Sequence, residues 1–219
     1  MIDLHTHSLL SDGELLPSEL ARRAKVIGYT VIGISDHVDT TNFEHVATSI
    51  IKLVKKANFY KDIAIIPGAE ITHVPPGLIK EIVDELRKIG IGYVVVHGET
   101  ISEPVKTGTN REAIESGADI LAHPGIITEE DMAFAAQKGT LIEITARKGH
   151  SLTNGHVAAL AKKMGARLII DTDAHSPSDL IADEFAKKVV IGAGLTIDDF
   201  FLMQKNAQDL AKKVMDKIL

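Results

Sequence analysis

The sequence predicts an α/β fold built on one parallel sheet, and three observations predict it. Short apolar runs, often β-branched and apolar on consecutive positions, recur from end to end, as strands covered on both faces do. Between them lie stretches with apolar residues at helical spacing, with nothing that reads as a linker. Histidine and carboxylate follow one run after another. Seven such runs either close into a barrel or stay open and doubly wound. The glycine-rich phosphate turn of a Rossmann sheet is missing after the first run, where His5-Thr6-His7 stands.

The strand candidates are residues 2–4, 31–34, 63–66, 91–96, 120–122, 141–144 and 168–170. Pro17 opens the first helix, Leu20, Ala24 and Ile27 form its stripe, and Gly28 closes it. Ile79, Ile82, Val83 and Leu86 line another helix before Gly90, and Val157, Leu160, Ala161 and Met164 a third before Gly165. Thr196 and Asp199 stand in capping-box spacing ahead of Phe200, Met203, Ala207, Leu210 and Val214, a stripe best read as core packing. The lysine-rich run 52–56 reads as a solvated helix face.

At 219 residues, 45% hydrophobic and 25% charged, the chain suits one globular domain over residues 1–219 with a sizeable core. Lys and Arg number 24 against 30 Asp and Glu, a net charge of −6. That balance disfavours a stable nucleic-acid complex, although a nuclease meeting its substrate only at the active site fits it. There is no cysteine, so disulfides and thiolate metal sites are excluded. No signal-like segment and no run of membrane-spanning length is present, so a cytoplasmic protein without membrane contact is expected.

The strand ends carry the chemistry. The first run leads to His5, His7 and Asp12; alternate residues of a strand share a face, so His5 and His7 aim at one point. The second enters Ser35-Asp36-His37, and the third passes Pro67 and Gly68 to Glu70. The fourth ends at His97 and the fifth at His123-Pro124-Gly125. The sixth leads from Glu143 to Arg147 without an obvious ligand, and the seventh gives Asp171-Thr172-Asp173-Ala174-His175. In a parallel barrel all of these share the C-terminal mouth. A lone buried histidine is more often a core residue than a ligand, but a histidine at strand end after strand end is not explained by packing. The set reads as a multinuclear site for two or three divalent ions. Imidazole and carboxylate without thiolate suit Zn, Mn or Fe, and such ions point to hydrolysis.

These motifs resemble the PHP family, the polymerase and histidinol phosphatase domain. The resemblance is carried by Asp3-Leu4-His5-Thr6-His7-Ser8 with Ser11-Asp12-Gly13, Ser35-Asp36-His37, Gly68-Ala69-Glu70, His97, Ala122-His123-Pro124-Gly125 and Asp171-Thr172-Asp173-Ala174-His175. It implies a distorted (β/α)7 TIM-like barrel with a trinuclear cluster. His5, His7, Glu70 and Asp173 would hold one ion, Glu70, His97 and His123 a second, and Asp12, His37 and His175 a third. The implied activity is a metal-dependent phosphoesterase, in which a metal-held hydroxide attacks a phosphomonoester such as histidinol phosphate, a sugar phosphate or a nucleotide. Arg147 would bind the substrate phosphate, and Asp173 or His175 would carry a proton. Asp36 and Asp171 are expected to orient imidazoles, while Lys148 and His150 share a loop with Arg147 and would assist it. His73 reads as a loop histidine, Arg111 as a surface residue, and His45 and His156 as helical residues without a catalytic part. Alternatives are a phosphodiesterase or exonuclease on nucleotides or short oligonucleotides, an amidohydrolase-type barrel, and a non-catalytic scaffold of a ribonucleoprotein. Glu70, where amidohydrolases commonly place a lysine, and the intact ligands disfavour the last two.

Overall fold

The computed structural model describes residues 1–56 and 62–218. Along the chain run β1 (Ile2–Asp3), α1 (Pro17–Val26), β2 (Val31–Ile34), β3 (His37–Val38), α2 (Phe43–Val54) and β4 (Ala64–Ile71). There follow α3 (Pro76–Ile89), β5 (Tyr93–His97), α4 (Thr109–Ser116), β6 (Ile120–Ala122), α5 (Glu129–Lys138) and β7 (Leu141–Thr145). A 3-10 helix at His150–Thr153 leads into α6 (Asn154–Met164), β8 (Leu168–Asp171), α7 (Asp183–Gly192) and α8 (Ile197–Ile218).

Among the described residues every ladder is parallel, in the spatial order β1-β2-β4-β5-β6-β7-β8, with β3 set beside β4. The sheet curls into a nearly closed barrel of seven strands, as the motifs implied, and the open doubly wound arrangement is set aside. The last strand meets the first through side chains more than through a ladder. His7 N–H donates to Ala174 O at 2.8 Å, Leu4 N–H to Asp171 Oδ1 at 2.7 Å, and Thr172 Oγ1–H to Asp3 Oδ2 at 2.6 Å. Asp171 therefore holds a strand rather than an imidazole, contrary to expectation.

Two strands depart from the sequence reading. β4 runs on to Ile71 although Pro67-Gly68 looks like a stop. Pro67 pairs with Ile34, the last residue of β2, so its missing N–H falls where the neighbouring strand ends. Gly68 makes room for a ring: a Cβ there would lie 2.3 Å from Tyr93 Cζ. β3 resumes beside Glu70 and Ile71 after a break at Ser35-Asp36. In that break Asp36 accepts bonds from Ser8 N–H, Ser8 Oγ and Ser11 Oγ, each at 2.7 Å. It fixes the loop after β1 and does not orient an imidazole.

Strand residues alternate between two cores, which explains their consecutive apolar runs. Ile32, Ile34, Val94, Val96, Leu121, Ile142 and Ile170 face the helices, including Leu20 and Ala24 of α1 and Ile79, Ile82, Val83 and Leu86 of α3. Ile27 lies beyond α1 and is exposed, so it drops out of the predicted stripe. Leu4, Val31, Ile66, Tyr93, Val95, Ile120, Leu141 and Ile169 fill the barrel, over a floor of Ala207, Leu210 and Val214 from α8. Thr196 and Asp199 form the expected reciprocal cap on α8, with Thr196 N–H reaching Asp199 Oδ2 at 2.7 Å and Asp199 N–H reaching Thr196 Oγ1 at 3.2 Å. Among the described residues, no helix is long and apolar enough to cross a membrane.

Candidate metal centre

Above the apolar layers, the same inward alternation delivers polar groups. Ile66 and Gly68 are followed inward by Glu70, and Tyr93 and Val95 by His97. His123 and Asp173 follow their strands with positive φ angles of 26° and 52°. That conformation is uncommon for residues with a Cβ, and here it turns both side chains toward the mouth.

The residues singled out from sequence converge there. His5 Nε2 lies 3.2 Å from Glu70 Oε1 and 3.6 Å from Asp173 Oδ1. His7 Nε2 lies 3.1 Å from Asp173 Oδ1 and 3.6 Å from Glu70 Oε2. His123 Nε2 stands 3.9 Å from Glu70 Oε1, and the His97 ring is 4.5 Å from the His123 ring. On the other side of Glu70, His37 Nδ1 approaches its Oε2 at 2.7 Å. His37 Nε2 and His175 Nε2 reach Asp12 Oδ1 at 3.5 and 3.3 Å. Glu70 thus touches all three predicted groups or their neighbours. His5, His7, Glu70, His97, His123 and Asp173 are buried, His37 and His175 half-buried, and Asp12 exposed at the rim.

Second contacts fix how these rings are presented. His5 Nδ1–H donates to Glu143 Oε2 at 2.7 Å, His97 Nδ1–H to Gly98 O at 3.1 Å, and His175 Nδ1–H to Asp173 O at 2.9 Å. Each bond leaves the Nε2 lone pair free to ligate. Buried atoms that make no hydrogen bond include His5 Nε2, both ring nitrogens of His7 and of His123, and Glu70 Oε1. Burying so many lone pairs unpaired is costly, and divalent cations among them would remove the cost. The residues present therefore fit a metal.

The electrostatics agree. Burial opposes charge on His5, yet the carboxylates of Glu70, Glu143 and Asp173 outweigh it and raise its pKa well above the ordinary value. Burial together with the charge at His37 pushes His7 well below it, and burial with His97 does the same to His123. Burial lifts Asp173 to about 7. Without metal, protons on some imidazoles balance the carboxylates, a place cations would take.

Several neighbours escaped the sequence reading. Glu143, fully buried on β7, holds His5; its place between inward-facing Leu141 and Thr145 was the available signal. Glu103, on the loop after β5, meets His73, His97 and His150. His73 lines the mouth rather than standing apart as a loop residue, and His150 is buried against His123. Arg147 also lines the mouth, its Nη1 3.0 Å from Asp179 Oδ2 and its Nε 3.9 Å from Asp173 Oδ2. Lys148 does not line that cleft but the neighbouring one. Arg111 is a surface residue paired with Glu115 and Asp131. His45 lies in α2 and His156 in α6, the latter bonded to Ile127 O at 2.8 Å.

The family model described as PHP domain matches residues 3–162. The chain belongs to the PHP family. An uncharacterized protein of Methanocaldococcus jannaschii is 47% identical over 89% of this chain and 90% of its own length. A protein named probable phosphatase from Thermoanaerobacter sp. is 27% identical over 90% of this chain and 88% of its own length. Among solved structures, histidinol phosphate phosphatase of Lactococcus lactis, complexed with zinc, L-histidinol and phosphate, has a TM-score of 0.63 at 19% identity, covering 89% of this PHP chain and 94% of its own. A chain of archaeal ribonuclease P with mature tRNA has a TM-score of 0.73 at 15% identity, covering 98% and 91%. At those identities the two structures speak to the shared barrel.

Proposed function

We propose that the protein is a metal-dependent phosphoesterase, a single catalytic domain over residues 1–219 that hydrolyses a small phosphomonoester at a centre of two or three divalent ions. The hydrolase assignment rests on PHP family membership and on the phosphatase-named relative. One observation supports the reading of the centre above others: buried, unpartnered nitrogens and oxygens of His5, His7, Glu70 and His123 that face one another. His5, His7, Glu70 and Asp173 would hold one ion, Glu70, His97 and His123 a second, and Asp12, His37 and His175 a third. The donors suit Zn, Mn or Fe. Bound ions would supply an acidified water as nucleophile and stabilise charge on the phosphoryl oxygens.

The chain's own groups bind and orient. Glu143 and the Gly98 carbonyl fix the rings of His5 and His97. Arg147, steadied by Asp179, presents a guanidinium to a phosphate entering the cleft. Hydrolysis forms a bond from water oxygen to phosphorus, breaks the ester P–O bond, and leaves an alcohol that takes up a proton. Asp173 and His175 border the cleft through which that proton passes, and we assign them its transfer. The cleft encloses about 400 Å³ and is lined by polar groups such as Thr41, Asn42 and Thr72, a size and character for a histidinol phosphate-like ester, a sugar phosphate or a nucleotide. The cleft is partly open to solvent, which admits a nucleotide diester as the second reading.

The test is hydrolysis of a panel of histidinol phosphate, sugar phosphates, nucleoside mono- and bisphosphates and short oligonucleotides, with Mn or Zn added, beside a His97→Ala control. Turnover of monoesters that the control loses is the expected result. Turnover confined to oligonucleotides would replace it with the diester reading. Metal-loaded protein inert on every member would overturn the phosphoesterase proposal.

A further inference from the structure

We infer that Glu103 and His150 are two additional ligands of the ion placed at His97 and His123, reaching it from a loop and a 3-10 helix rather than from strand ends. The inference rests on the metal centre proposed above and deepens it.

A glutamate in a loop between β5 and α4 ordinarily points into water. Glu103, although partly exposed, turns its carboxylate toward the mouth. Its Oε2 lies 3.3 Å from His97 Nε2 and 3.1 Å from His73 Nε2, and its Oε1 lies 3.4 Å from His150 Nε2. Donors about 2.0–2.1 Å from a tetrahedral ion stand roughly 3.3 Å from one another, so these are ligand-to-ligand spacings. With its Nδ1–H spent on Gly98 O, His97 turns Nε2 toward the Glu103 carboxylate. A cation between the two groups would be held by both.

His150 points to the same place independently. Its ring stacks on His123 with centroids 4.2 Å apart, and its Nδ1 is held by Thr100 Oγ1 at 2.7 Å. Nitrogens of His97, His123 and His150 converge within 4.8 Å of one another. Both ring nitrogens of His123 are buried and have no partner. His97 and His150 thus stand between His123 on one side and the Glu103 carboxylate on the other.

The loop that carries Glu103 is clamped. Glu99 Oε1 accepts from Gly108 N–H at 3.0 Å and Asn110 N–H at 2.9 Å, and Asn110 Nδ2–H donates to Pro124 O at 2.9 Å. Gly125, with φ +64°, packs so closely that a Cβ would lie 1.8 Å from Glu99 O. His73 holds the Glu103 carboxylate from outside and acts as a positioning residue. An ion so surrounded would be tightly held, and positions open to substrate would fall to the other ions.

Chelator-stripped full-length protein, titrated with Zn2+ and with Co2+ as a spectroscopic probe, tests this. Glu103→Ala is expected to weaken one ion by about tenfold or more and to change its Co2+ spectrum, while the remaining ions keep their affinities. The affected ion should be the one lost in His97→Ala, and Glu103→Asp should restore part of the loss. Glu103 is partly exposed, so its variants fold even where a His150 variant does not. Affinities of Glu103→Ala within about twofold of wild type, alongside loss of an ion in His97→Ala, would overturn the inference and leave the metal centre standing. Absence of stoichiometric metal in the wild type would overturn the centre itself, and this shell with it.

Discussion

Replacing Glu143 with glutamine should loosen the metal centre without touching it directly. Glu143 is fully buried, and its Oε2 accepts the His5 Nδ1 proton at 2.7 Å. That bond selects the tautomer with its lone pair on Nε2, the atom that faces Glu70 and Asp173. Glutamine keeps an acceptor and nearly the same volume but removes the charge, whereas alanine removes the acceptor and strands a buried N–H. Loss of such a partner behind a ligating histidine costs about 10–100-fold in metal affinity, or about 1.4–2.7 kcal/mol, with glutamine at the lower end. By mass action the same amount vanishes from metal-derived stability. At about 2–4 °C per kcal/mol for a chain of this size, the metal-induced rise in Tm should shrink by roughly 3–6 °C in Glu143→Gln and more in Glu143→Ala. The rise is measured as the difference between metal-loaded and chelated protein of each variant, which cancels any effect on the metal-free fold. An undiminished rise in Glu143→Ala would refute the idea that this carboxylate holds His5 in its ligating orientation.

Metal binding should expel protons. Without metal, Glu70 outweighs burial and raises His37 to about 9, and His5 also stands above the ordinary range, so both are protonated near neutrality. Protons then compete with the ion, and apparent affinity should climb with pH up to about 9, where His37 loses its proton; titration calorimetry in buffers of different ionisation enthalpy reads the release, and a pH-independent affinity would contradict the reasoning. Arg147→Ala should weaken competitive inhibition by inorganic phosphate about tenfold or more, the loss expected for one charge-assisted contact; an unchanged inhibition constant removes Arg147 from the phosphate site. Gly33→Ala would place a Cβ 2.0 Å from Tyr93 Oη inside the barrel, for an overpacking cost of about 1–3 kcal/mol in urea unfolding. Tyr93→Phe should recover part of that cost in the double variant, and strict additivity would argue that the ring is not the obstacle. Asp199→Ala should lose about 0.5–2 kcal/mol by opening the cap of α8, with metal content unchanged.

Much of this was legible in the chain because two periodicities carry it. Buried parallel strands give short consecutive apolar runs, and helices give stripes closed by glycine, so the β-α alternation and the cap at Thr196 and Asp199 could be read locally. The strand-end histidines were legible for the same reason: a strand end in a parallel barrel has one destination. Glu143 was harder, since an inward carboxylate within a strand looks like any interruption of an apolar run. Asp36 and Asp171 were misread because both sit beside candidate ligands. Only the fold shows that one secures the loop after β1 and the other the seam between β1 and β8.

By itself the sequence determined the class of fold, the absence of thiolate chemistry, and the residues gathered at one mouth. These depend on composition and on order along single elements, which local physics governs. Closure of the barrel, the turn of His123 and Asp173 inward through positive φ, and the support of His5 by Glu143 were decided by tertiary structure alone. So were the positions of Glu103 and His150 beside His97. Those features join residues far apart in sequence, brought within a few ångströms by curvature of the sheet and clamping between loops. No local pattern records either one.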